Sequence, residues 1–222
     1  MKIIAHRGAS RECPENTLRA FERAIEIGVD GIETDVRKTA DGVLVLHHNA
    51  HVEINGRPQA IRQLSYEKLK AIHSSKTEPI PMLEGLFEMA GWSVALCLEL
   101  KEAGIVPEVL AAIRKYDLGD NIHVTSFLYP EILEVGRLWP SLSISVTFET
   151  LPLAASLIKD GIYEVSLPST VISAAVVAKL KRAGLHVRVY TVNAPEEAAR
   201  LESWGVDAIF TDDPRVMQAY RR

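Results

Sequence analysis

Two carboxylates one residue apart, Glu33 and Asp35, lie in the otherwise largely apolar segment GIETDV at 31–36. Side chains at positions i and i+2 of a strand point to the same side, so both carboxylates are aimed at one place. Carboxylates held together repel, which raises the pKa of one of them or requires a cation. Because Mg2+ and Ca2+ prefer oxygen ligands, the pair indicates a divalent-metal site, and a salt bridge to Arg37, Lys38 or another basic residue is the alternative.

A third carboxylate has the same setting. Glu99 and Lys101 follow the apolar run SVALCL and are also two residues apart, so they point to the same side of their strand. If this strand ends beside the one that carries Glu33, three carboxylates and one ammonium group converge. Three carboxylates are sufficient for a hard-metal site, although Lys101 could simply neutralise Glu99.

Histidine and arginine supply further reactive groups. His6 and Arg7 end the first apolar run and precede Gly8, which permits a ligand to approach the backbone closely. The guanidinium group of arginine suits a phosphate. Two adjacent histidines, His47 and His48, end another apolar run, and one of them at most can face the site because neighbouring strand residues face opposite sides.

Alternating strands and helices must position these residues. With the run at 43–48 set aside, the pattern gives eight strands that begin at residues 3, 31, 94, 122, 142, 163, 186 and 207. Eight parallel strands with intervening helices predict an α/β fold, a small (β/α)8 TIM barrel, with an open doubly wound sheet as the alternative. The linker KTADG is too short for a helical crossover, so the run at 43–48 is expected to return antiparallel.

The remaining pattern is less regular but contains no domain boundary. Residues 51–80 have the weakest pattern, with an Asn-Gly pair at 55–56 and a predicted helix at 65–73. Linkers, repeats and low-complexity stretches are lacking in the sequence, which predicts a single domain over residues 1–222.

In a barrel of this kind the active site lies at the carboxyl ends of the strands. Most of the chemically capable residues fall there: His6, Arg7, Glu33, Asp35, Glu99, Lys101, Ser126, Tyr190, Asn193, Thr211 and Asp212. Ser126 has no nucleophile-elbow context, so serine hydrolysis is not expected, and an ordinary strand-end cap is its alternative role.

The overall composition narrows the classes of partner. The 222 residues carry a formal net charge of −4 and are 47% hydrophobic. Nucleic-acid binding requires a basic surface, so no nucleic-acid partner is expected. Cys13 and Cys97 have no metal-ligand spacing, which predicts two small apolar fillers in a reducing, cytoplasmic compartment. The sequence has no apolar run of about 20 residues and no signal-peptide pattern, so no membrane anchor is expected.

With these residues in place, the sequence closely resembles the glycerophosphodiester phosphodiesterase family, relatives by fold of bacterial phosphatidylinositol-specific phospholipase C. The resemblance runs nearly end to end. The motifs that carry it are AHRGAS (5–10), PENTLRAF (14–21), GIETDV (31–36), DGVLVLHH (41–48), IPMLEGLFE (80–88), LELK (98–101), TSF (125–127), YTVN (190–193) and GVDAIFTDDP (205–214). The family fold is a TIM barrel, in agreement with the strand count.

By position, the resemblance implies roles for ten residues. Glu33, Asp35 and Glu99 would hold Mg2+ or Ca2+, and His6 and His48 would be the acid–base pair. Arg7 and Lys101 would contact the phosphate, while Glu15 and Asn16 would support the first loop. Tyr190 stands where the family usually has a tryptophan near the glycerol moiety. The implied substrate is a small-molecule glycerophosphodiester.

The implied reaction is metal-dependent hydrolysis of a glycerophosphodiester to glycerol 3-phosphate and an alcohol such as choline, ethanolamine or glycerol. One histidine would deprotonate the nucleophile and the other would protonate the departing alcohol. By analogy with the phospholipase relative, the nucleophile is the glycerol 2-hydroxyl, and water then opens a cyclic phosphate. A lysophospholipase D-like or phosphoinositide-cleaving activity on a larger diester is an alternative, which would favour an apolar rim at the barrel mouth.

Asn49 is the clearest departure from the family, which usually has aspartate after the second catalytic histidine. An amide cannot supply the negative charge that raises the pKa of a neighbouring imidazole, so Asn49 bears on the pH optimum and on the activity itself. It motivates a further alternative, a catalytically weak barrel that binds phosphodiesters. Small barrels often associate, and the sequence leaves homodimer formation open.

Overall fold

A computed structural model describes residues 1–73 and 78–221 of the chain. Its strands are β1 (Lys2–His6), β2 (Gly31–Lys38), β3 (Leu44–Leu46), β4 (His51–Ile54), β5 (Arg57–Ala60), β6 (Ala95–Leu100), β7 (Ile122–Ser126), β8 (Ser143–Thr147), β9 (Glu164–Pro168), β10 (His186–Tyr190) and β11 (Ala208–Thr211). Its α-helices are α1 (Leu18–Ile27), α2 (Tyr66–His73), α3 (Leu83–Ala90), α4 (Val106–Lys115), α5 (Tyr129–Leu138), α6 (Ala154–Lys159), α7 (Ala174–Arg182), α8 (Pro195–Ser203) and α9 (Pro214–Tyr220).

Eight of these strands close into a parallel barrel in the order β1-β2-β6-β7-β8-β9-β10-β11, and β11 pairs back to β1. At least one helix follows each barrel strand. The predicted TIM barrel is confirmed, and the open doubly wound sheet is wrong. Each of the eight predicted strand starts lies within one residue of the observed start.

The first strand–helix unit shows how local sequence positions the site. Helix α1 begins after Thr17, whose hydroxyl accepts a hydrogen bond from the amide of Ala20. Gly8 has a φ of +81° and lies so close to α1 that a Cβ there would be 2.7 Å from the carbonyl carbon of Ala20. Glycine is therefore required at this position, and the loop that carries Arg7 lies directly against the helix.

The chain after β2 folds back beside the barrel. Strand β3 pairs antiparallel with the end of β2, with Val36 opposite Leu46, as predicted. Strands β4 and β5 form a separate hairpin around Asn55 and Gly56, which have φ values of 51° and 74°. This hairpin is not evident from the sequence pattern, because its two short strands contain few apolar residues. The predicted helix at 65–73 is present as α2.

The main hydrophobic core lies between the barrel strands and the helices that surround them, with Phe21 and Phe87 among its fully buried side chains. Inside the barrel, a small apolar cluster is formed by Ile4, Cys97, Ala208 and Phe210. Both cysteines are free and buried, as the sequence predicts for apolar fillers. The single domain over residues 1–222 stays a prediction. Among the helices of the described residues, none is long and apolar enough to cross a membrane.

Candidate active site

A cavity of about 280 Å³ lies at the carboxyl ends of the barrel strands, where barrels of this type place their active sites. It is lined by His6, Arg7, Glu33, His48, Glu99, Lys101, Thr125, Phe127, Thr147, Ser166, Tyr190, Thr191 and Phe210. This lining includes seven of the ten residues to which the resemblance assigns a role. The other three, Glu15, Asn16 and Asp35, contact lining residues or one another.

Glu33, Asp35 and Glu99 form one acidic cluster at this end of the barrel. Each residue offers an oxygen atom, and the three oxygens lie within 4.8 Å of one another. Asp35 on β2 lies opposite Glu99 on β6 in the parallel register, and Glu33 is two residues before Asp35 on the same strand. The three carboxylates therefore converge.

The acidic cluster is buried and incompletely hydrogen bonded. Glu33 Oε1 and Asp35 Oδ1 are buried and form no hydrogen bond with any described residue. Burial and the charges of Asp35 and Glu99 raise the pKa of Glu33 to about 8, and burial also raises the pKa of Glu99. Buried carboxylate oxygens without hydrogen bonds are suitable ligands for a hard divalent cation, so the residues present fit Mg2+ or Ca2+.

Two cations border the acidic cluster. Arg7 Nε lies 3.1 Å from Asp35 Oδ2, while Lys101 Nζ lies 2.7 Å from Glu99 Oε1 and 3.5 Å from Asp35 Oδ1. Burial raises the pKa of Asp35, but the charges of Arg7 and Lys101 outweigh burial and bring this pKa below its usual value. Lys101 thus pairs with Glu99, as the simpler interpretation of the sequence expects, and it also lines the cavity.

Arg7 is held in an uncommon backbone conformation. Its φ of 58° lies in the left-handed region, and its backbone amide donates a hydrogen bond of 3.0 Å to Glu33 Oε2. Its guanidinium donates to Glu15 Oε2, also at 3.0 Å. Non-glycine residues with positive φ are uncommon and cluster at functional sites. The hydrogen bond to Glu15, whose side chain is partly exposed, holds the Arg7 guanidinium from the solvent side.

Asn16 fixes the position of Asp35 through two hydrogen bonds to Asp35 and one to its neighbour Thr34. Asn16 Nδ2 donates to Asp35 Oδ2 at 2.8 Å. Asn16 Oδ1 accepts from the Thr34 hydroxyl at 2.7 Å and from the Asp35 amide at 3.3 Å. A buried asparagine thereby sets the orientation of one carboxylate of the acidic cluster.

The same arrangement recurs at the last barrel strand. Asn193 Nδ2 donates to Asp212 Oδ2 at 2.8 Å, and Asn193 Oδ1 accepts from the Thr211 hydroxyl at 3.0 Å and from the Asp212 amide at 2.8 Å. In both cases the asparagine precedes its aspartate by 19 residues. Two strand-end aspartates are therefore held by identical Asn–Thr–Asp networks on either side of β1.

His6 is paired with the second of these aspartates. His6 Nδ1 donates a hydrogen bond of 2.7 Å to Asp212 Oδ1, and His6 Nε2 lies 4.0 Å from Glu33 Oε2. Burial lowers the pKa of His6, but the hydrogen bond to Asp212 and the charge of Glu33 outweigh burial and raise it above its usual value. Because Asp212 engages Nδ1, Nε2 is the nitrogen left for chemistry.

Of the two adjacent histidines, His48 lines the cavity, as the resemblance implies. Arg37 Nε donates to the backbone carbonyls of His47 and His48 at 3.2 and 3.0 Å, which fixes the loop after β3. Burial and the charges of Arg7 and Lys101 lower the pKa of His48. The amide oxygen of Asn49, 3.2 Å from His48 Nδ1, opposes this shift without reversing it.

Aromatic side chains form part of the cavity wall. The Tyr190 hydroxyl donates to the backbone carbonyl of Phe148 at 3.0 Å, and the Tyr190 ring meets Phe127 edge-on at 6.1 Å between centroids. Burial, with the charges of Glu149 and Glu99, raises the pKa of Tyr190 to about 12, so this hydroxyl stays protonated at neutral pH. Tyr190 therefore presents an uncharged aromatic surface to the cavity.

The chain is similar to known proteins over nearly its whole length. The profile of the glycerophosphoryl diester phosphodiesterase family matches residues 6–216. The chain belongs to this family. A glycerophosphodiester phosphodiesterase from Caldanaerobacter subterraneus subsp. tengcongensis is 31% identical over an alignment of 232 positions, which spans 97% of this chain and 95% of that protein. An uncharacterised Bacillus subtilis protein, YqiK, is 31% identical over an alignment of 240 positions, which spans 98% of this chain and 97% of that protein.

Solved structures agree with this assignment to the phosphodiesterase family. An Oleispira antarctica phosphodiesterase in complex with the product sn-glycerol-3-phosphate has a TM-score of 0.89 at 26% identity, and the alignment covers 100% of this chain and 96% of that chain. A glycerophosphodiester phosphodiesterase from Parabacteroides distasonis has a TM-score of 0.88 at 29% identity, covering 98% and 95%. The family expected from the sequence is confirmed.

Two site residues of this phosphodiesterase receive no role in the sequence analysis. Asp212 and Asn193 are recognised there as strand-end residues, but the hydrogen bonds of Asp212 with His6 and with Asn193 are not predicted. The sequence does contain a signal for the pairing of Asn193 with Asp212, because their spacing equals that from Asn16 to Asp35. The roles that the resemblance assigns to individual residues stay predictions.

Ser126, the other strand-end candidate, has a structural contact pattern. Its hydroxyl donates to the carbonyl of Leu100 at 2.6 Å and accepts from the amide of Leu128 at 2.9 Å. These are the contacts of a strand-end cap, which is the alternative that the sequence analysis keeps open for Ser126.

Proposed function

We propose that the protein is a metal-dependent hydrolase that converts glycerophosphodiesters into glycerol 3-phosphate and an alcohol. The observation that carries this proposal is the buried acidic cluster, in which one oxygen of Glu33 and one of Asp35 form no hydrogen bond with a described residue, beside a cavity lined by His6 and His48. Family membership supports the reaction class, and the bound product of the Oleispira relative supports glycerol 3-phosphate as the product. The buried free cysteines are compatible with a reducing, cytoplasmic location.

Glu33, Asp35 and Glu99 are the residues that would hold Mg2+ or Ca2+. The bound cation would supply charge neutralisation for the phosphate oxygens. Arg7 and Lys101 border the same cluster and would bind the phosphate from the sides. Their positive charges also hold Asp35 ionised, as metal binding requires.

His6 and His48 form the proposed acid–base pair. One imidazole takes a proton from the attacking group, and the other gives a proton to the oxygen of the departing alcohol. Asp212 orients His6 so that Nε2 moves the proton. The pKa of His6 is raised and that of His48 is lowered, so near pH 6.5 the protein favours one protonated and one neutral histidine.

The remaining assigned residues support this machinery. Tyr190 would lie beside the glycerol moiety, since its ring forms part of the cavity wall. Glu15 would hold Arg7, and Asn16 would hold Asp35, through the hydrogen bonds described above. These residues act by positioning, so their removal should affect activity less than removal of a histidine.

A lysophospholipase D-like activity is a second candidate, favoured by an apolar rim. Phe127 and Leu128 after β7, and Leu151 and Leu153 after β8, are 41%, 36%, 51% and 79% exposed. Both loops follow the carboxyl ends of barrel strands, and Phe127 lines the cavity. An acyl chain on a larger diester could contact this rim.

The test is cleavage of three diesters, followed by phosphorus NMR, with Mg2+, with Ca2+ and with EDTA. Glycerophosphocholine and glycerophosphoethanolamine should give glycerol 3-phosphate when metal is present and none in EDTA. Faster cleavage of lysophosphatidylcholine to lysophosphatidic acid would favour the second candidate. Folded protein that cleaves none of the three would contradict both and favour the weak phosphodiester-binding barrel.

A further inference from the structure

Hydroxyl groups form the floor of the cavity. Thr125 on β7, Thr147 on β8 and Ser166 on β9 line it, and their exposed fractions are 2%, 6% and 1%. The interiors of such barrels are dominated by branched aliphatic side chains. Hydroxyls on three neighbouring strands therefore make the floor of this cavity polar.

The threonine hydroxyls have partners within the protein. The Thr125 and Thr147 hydroxyl oxygens are 2.9 Å apart, and Ser145 donates to Thr125 at 2.9 Å. His123 Nε2 in turn lies 2.8 Å from the Ser145 oxygen. This chain of hydrogen bonds accounts for the buried polar groups of β7 and β8 below the cavity.

Ser166 differs from its neighbours, because its buried hydroxyl oxygen has no hydrogen-bond partner among the described residues. Arg188 on β10 lies in register with Ser166, but its guanidinium donates hydrogen bonds to Glu164 and to the His123 ring instead. Buried hydroxyls are nearly always hydrogen bonded, so a partner for Ser166 must come from the cavity that it lines. The cavity can offer Ser166 a water molecule or a polar group of a ligand.

We propose that Ser166 is a specificity residue that binds a hydroxyl group of the glycerol moiety of the substrate. This inference rests on the proposed function. The acidic cluster, where the phosphate would bind, spans β2 and β6, and the floor strands β7, β8 and β9 follow β6 around the barrel. Glu99 lies in register with Thr125, so the floor begins directly beside the acidic cluster.

The chemistry of the substrate fits this placement. Every glycerophosphodiester has a glycerol moiety with two free hydroxyls, whereas the second alcohol varies. A hydroxyl that can both donate and accept, placed at the buried floor, recognises the constant part of the substrate. The variable alcohol then extends toward the open mouth, where Phe127 lies.

The test compares the binding of two ligands to two proteins by calorimetry in the presence of Mg2+. The ligands are glycerol 3-phosphate and n-propyl phosphate, which has the same phosphate and carbon chain without hydroxyls. Wild type should prefer glycerol 3-phosphate. Ser166→Ala should weaken binding of glycerol 3-phosphate about 3- to 10-fold, the effect of one neutral hydrogen bond, and change binding of n-propyl phosphate less than about 2-fold. The KM for glycerophosphocholine should rise by a similar factor with little change in kcat.

Ser145→Ala is the matched control, because Ser145 is equally buried but its hydroxyl is bonded to Thr125 and His123. It should lower the Tm and keep the preference for glycerol 3-phosphate. Ser166→Ala should leave the Tm unchanged or higher, since it removes a buried hydroxyl without a protein partner.

Two results would overturn the role of Ser166. The first is an unchanged preference for glycerol 3-phosphate in Ser166→Ala. The second is equal binding of glycerol 3-phosphate and n-propyl phosphate by the wild type, which requires no variant. Either result in a wild type that releases glycerol 3-phosphate leaves the proposed function standing. Lack of that release would instead contradict the proposed function itself.

Discussion

Asp212 accepts a hydrogen bond of 2.7 Å from His6, although the two residues are 206 positions apart in the sequence. Pairing of the last barrel strand with the first brings them together, and Asn193 holds the aspartate in place at 2.8 Å. One of the two cavity histidines therefore has a carboxylate partner, while the other, His48, has the amide of Asn49. The protein thus distributes negative charge unequally between its two histidines.

Asp212→Asn should lower the pKa of His6 and reduce kcat by about 10²-fold or more, because the amide keeps the shape but removes the charge that favours the imidazolium form. In wild type the pKa of His6 is raised in the folded state. The pair therefore stabilises the protein below the unfolded pKa of histidine, and this contribution is lost as the pH rises through the folded pKa. NMR titration of His6 and the pH dependence of the melting temperature measure both effects.

Asp207→Asn is the control for that substitution. Asp207 pairs with Lys181 at 2.6 Å, just before β11 at the other end of the barrel. This variant should lose some stability but keep the titration of His6 and the rate of wild type. An unchanged pKa of His6 in Asp212→Asn would show that the carboxylate does not tune this histidine.

His6→Ala and His48→Ala should each reduce kcat by roughly 10²- to 10⁴-fold, the usual contribution of a general acid or base. His51→Ala, at an exposed position on β4, is the matched control and should retain wild-type turnover. Steady-state kinetics on glycerophosphocholine decide the question. If both cavity variants kept more than about a tenth of wild-type kcat, the acid–base assignment would be wrong.

Asn49→Asp should raise the pKa of His48 and move the limb of the pH–rate profile that reports this histidine to higher pH. The reason is that a carboxylate would replace the amide oxygen now 3.2 Å from His48 Nδ1. Affinity for glycerol 3-phosphate should stay unchanged. A large gain in turnover would show that Asn49 makes the wild type a weakened enzyme. An unchanged pKa of His48 would contradict the contact between residue 49 and the His48 ring. Asn49→Ala controls for loss of the amide.

Glu33→Gln should stabilise the metal-free protein at the upper end of the pH range. The pKa of Glu33 is raised from 4.5 to about 8 in the folded state. The unfolded chain therefore loses this proton first, and Glu33 reduces stability progressively as the pH rises from 4.5 to about 8. In EDTA, the melting temperature of wild type should fall across this window more steeply than that of Glu33→Gln.

The same melting experiment with added Mg2+ separates metal binding from simple charge repulsion. Mg2+ should raise the melting temperature of wild type at pH 8 and leave that of Glu33→Gln nearly unchanged, since binding to the folded state adds to stability. Glu53→Gln, at an exposed position on β4, should behave as wild type. A Mg2+ response of equal size in Glu33→Gln would contradict the assignment of Glu33 as a ligand.

The barrel and the acidic cluster could be predicted because both follow from simple periodicities. Alternation along GIETDV and LELK fixes which way Glu33, Asp35 and Glu99 point, and the barrel rule places all strand ends at one mouth. The contact between His6 and Asp212 could not be predicted in this way, since strand-end position does not specify which side chains pair. Ser166 was also missed, because a lone serine in a strand looks ordinary until its neighbours and its lack of a partner are known.

The most direct test of the account is the rate of glycerol 3-phosphate release from glycerophosphocholine as Mg2+ is added back to EDTA-treated protein. Wild type should show a saturable metal dependence, and Glu99→Gln should lose it, while Glu88→Gln, at an exposed position on α3, should match wild type. Release that persists without metal, or a Glu99→Gln variant with the metal dependence of wild type, would contradict a metal site built from Glu33, Asp35 and Glu99.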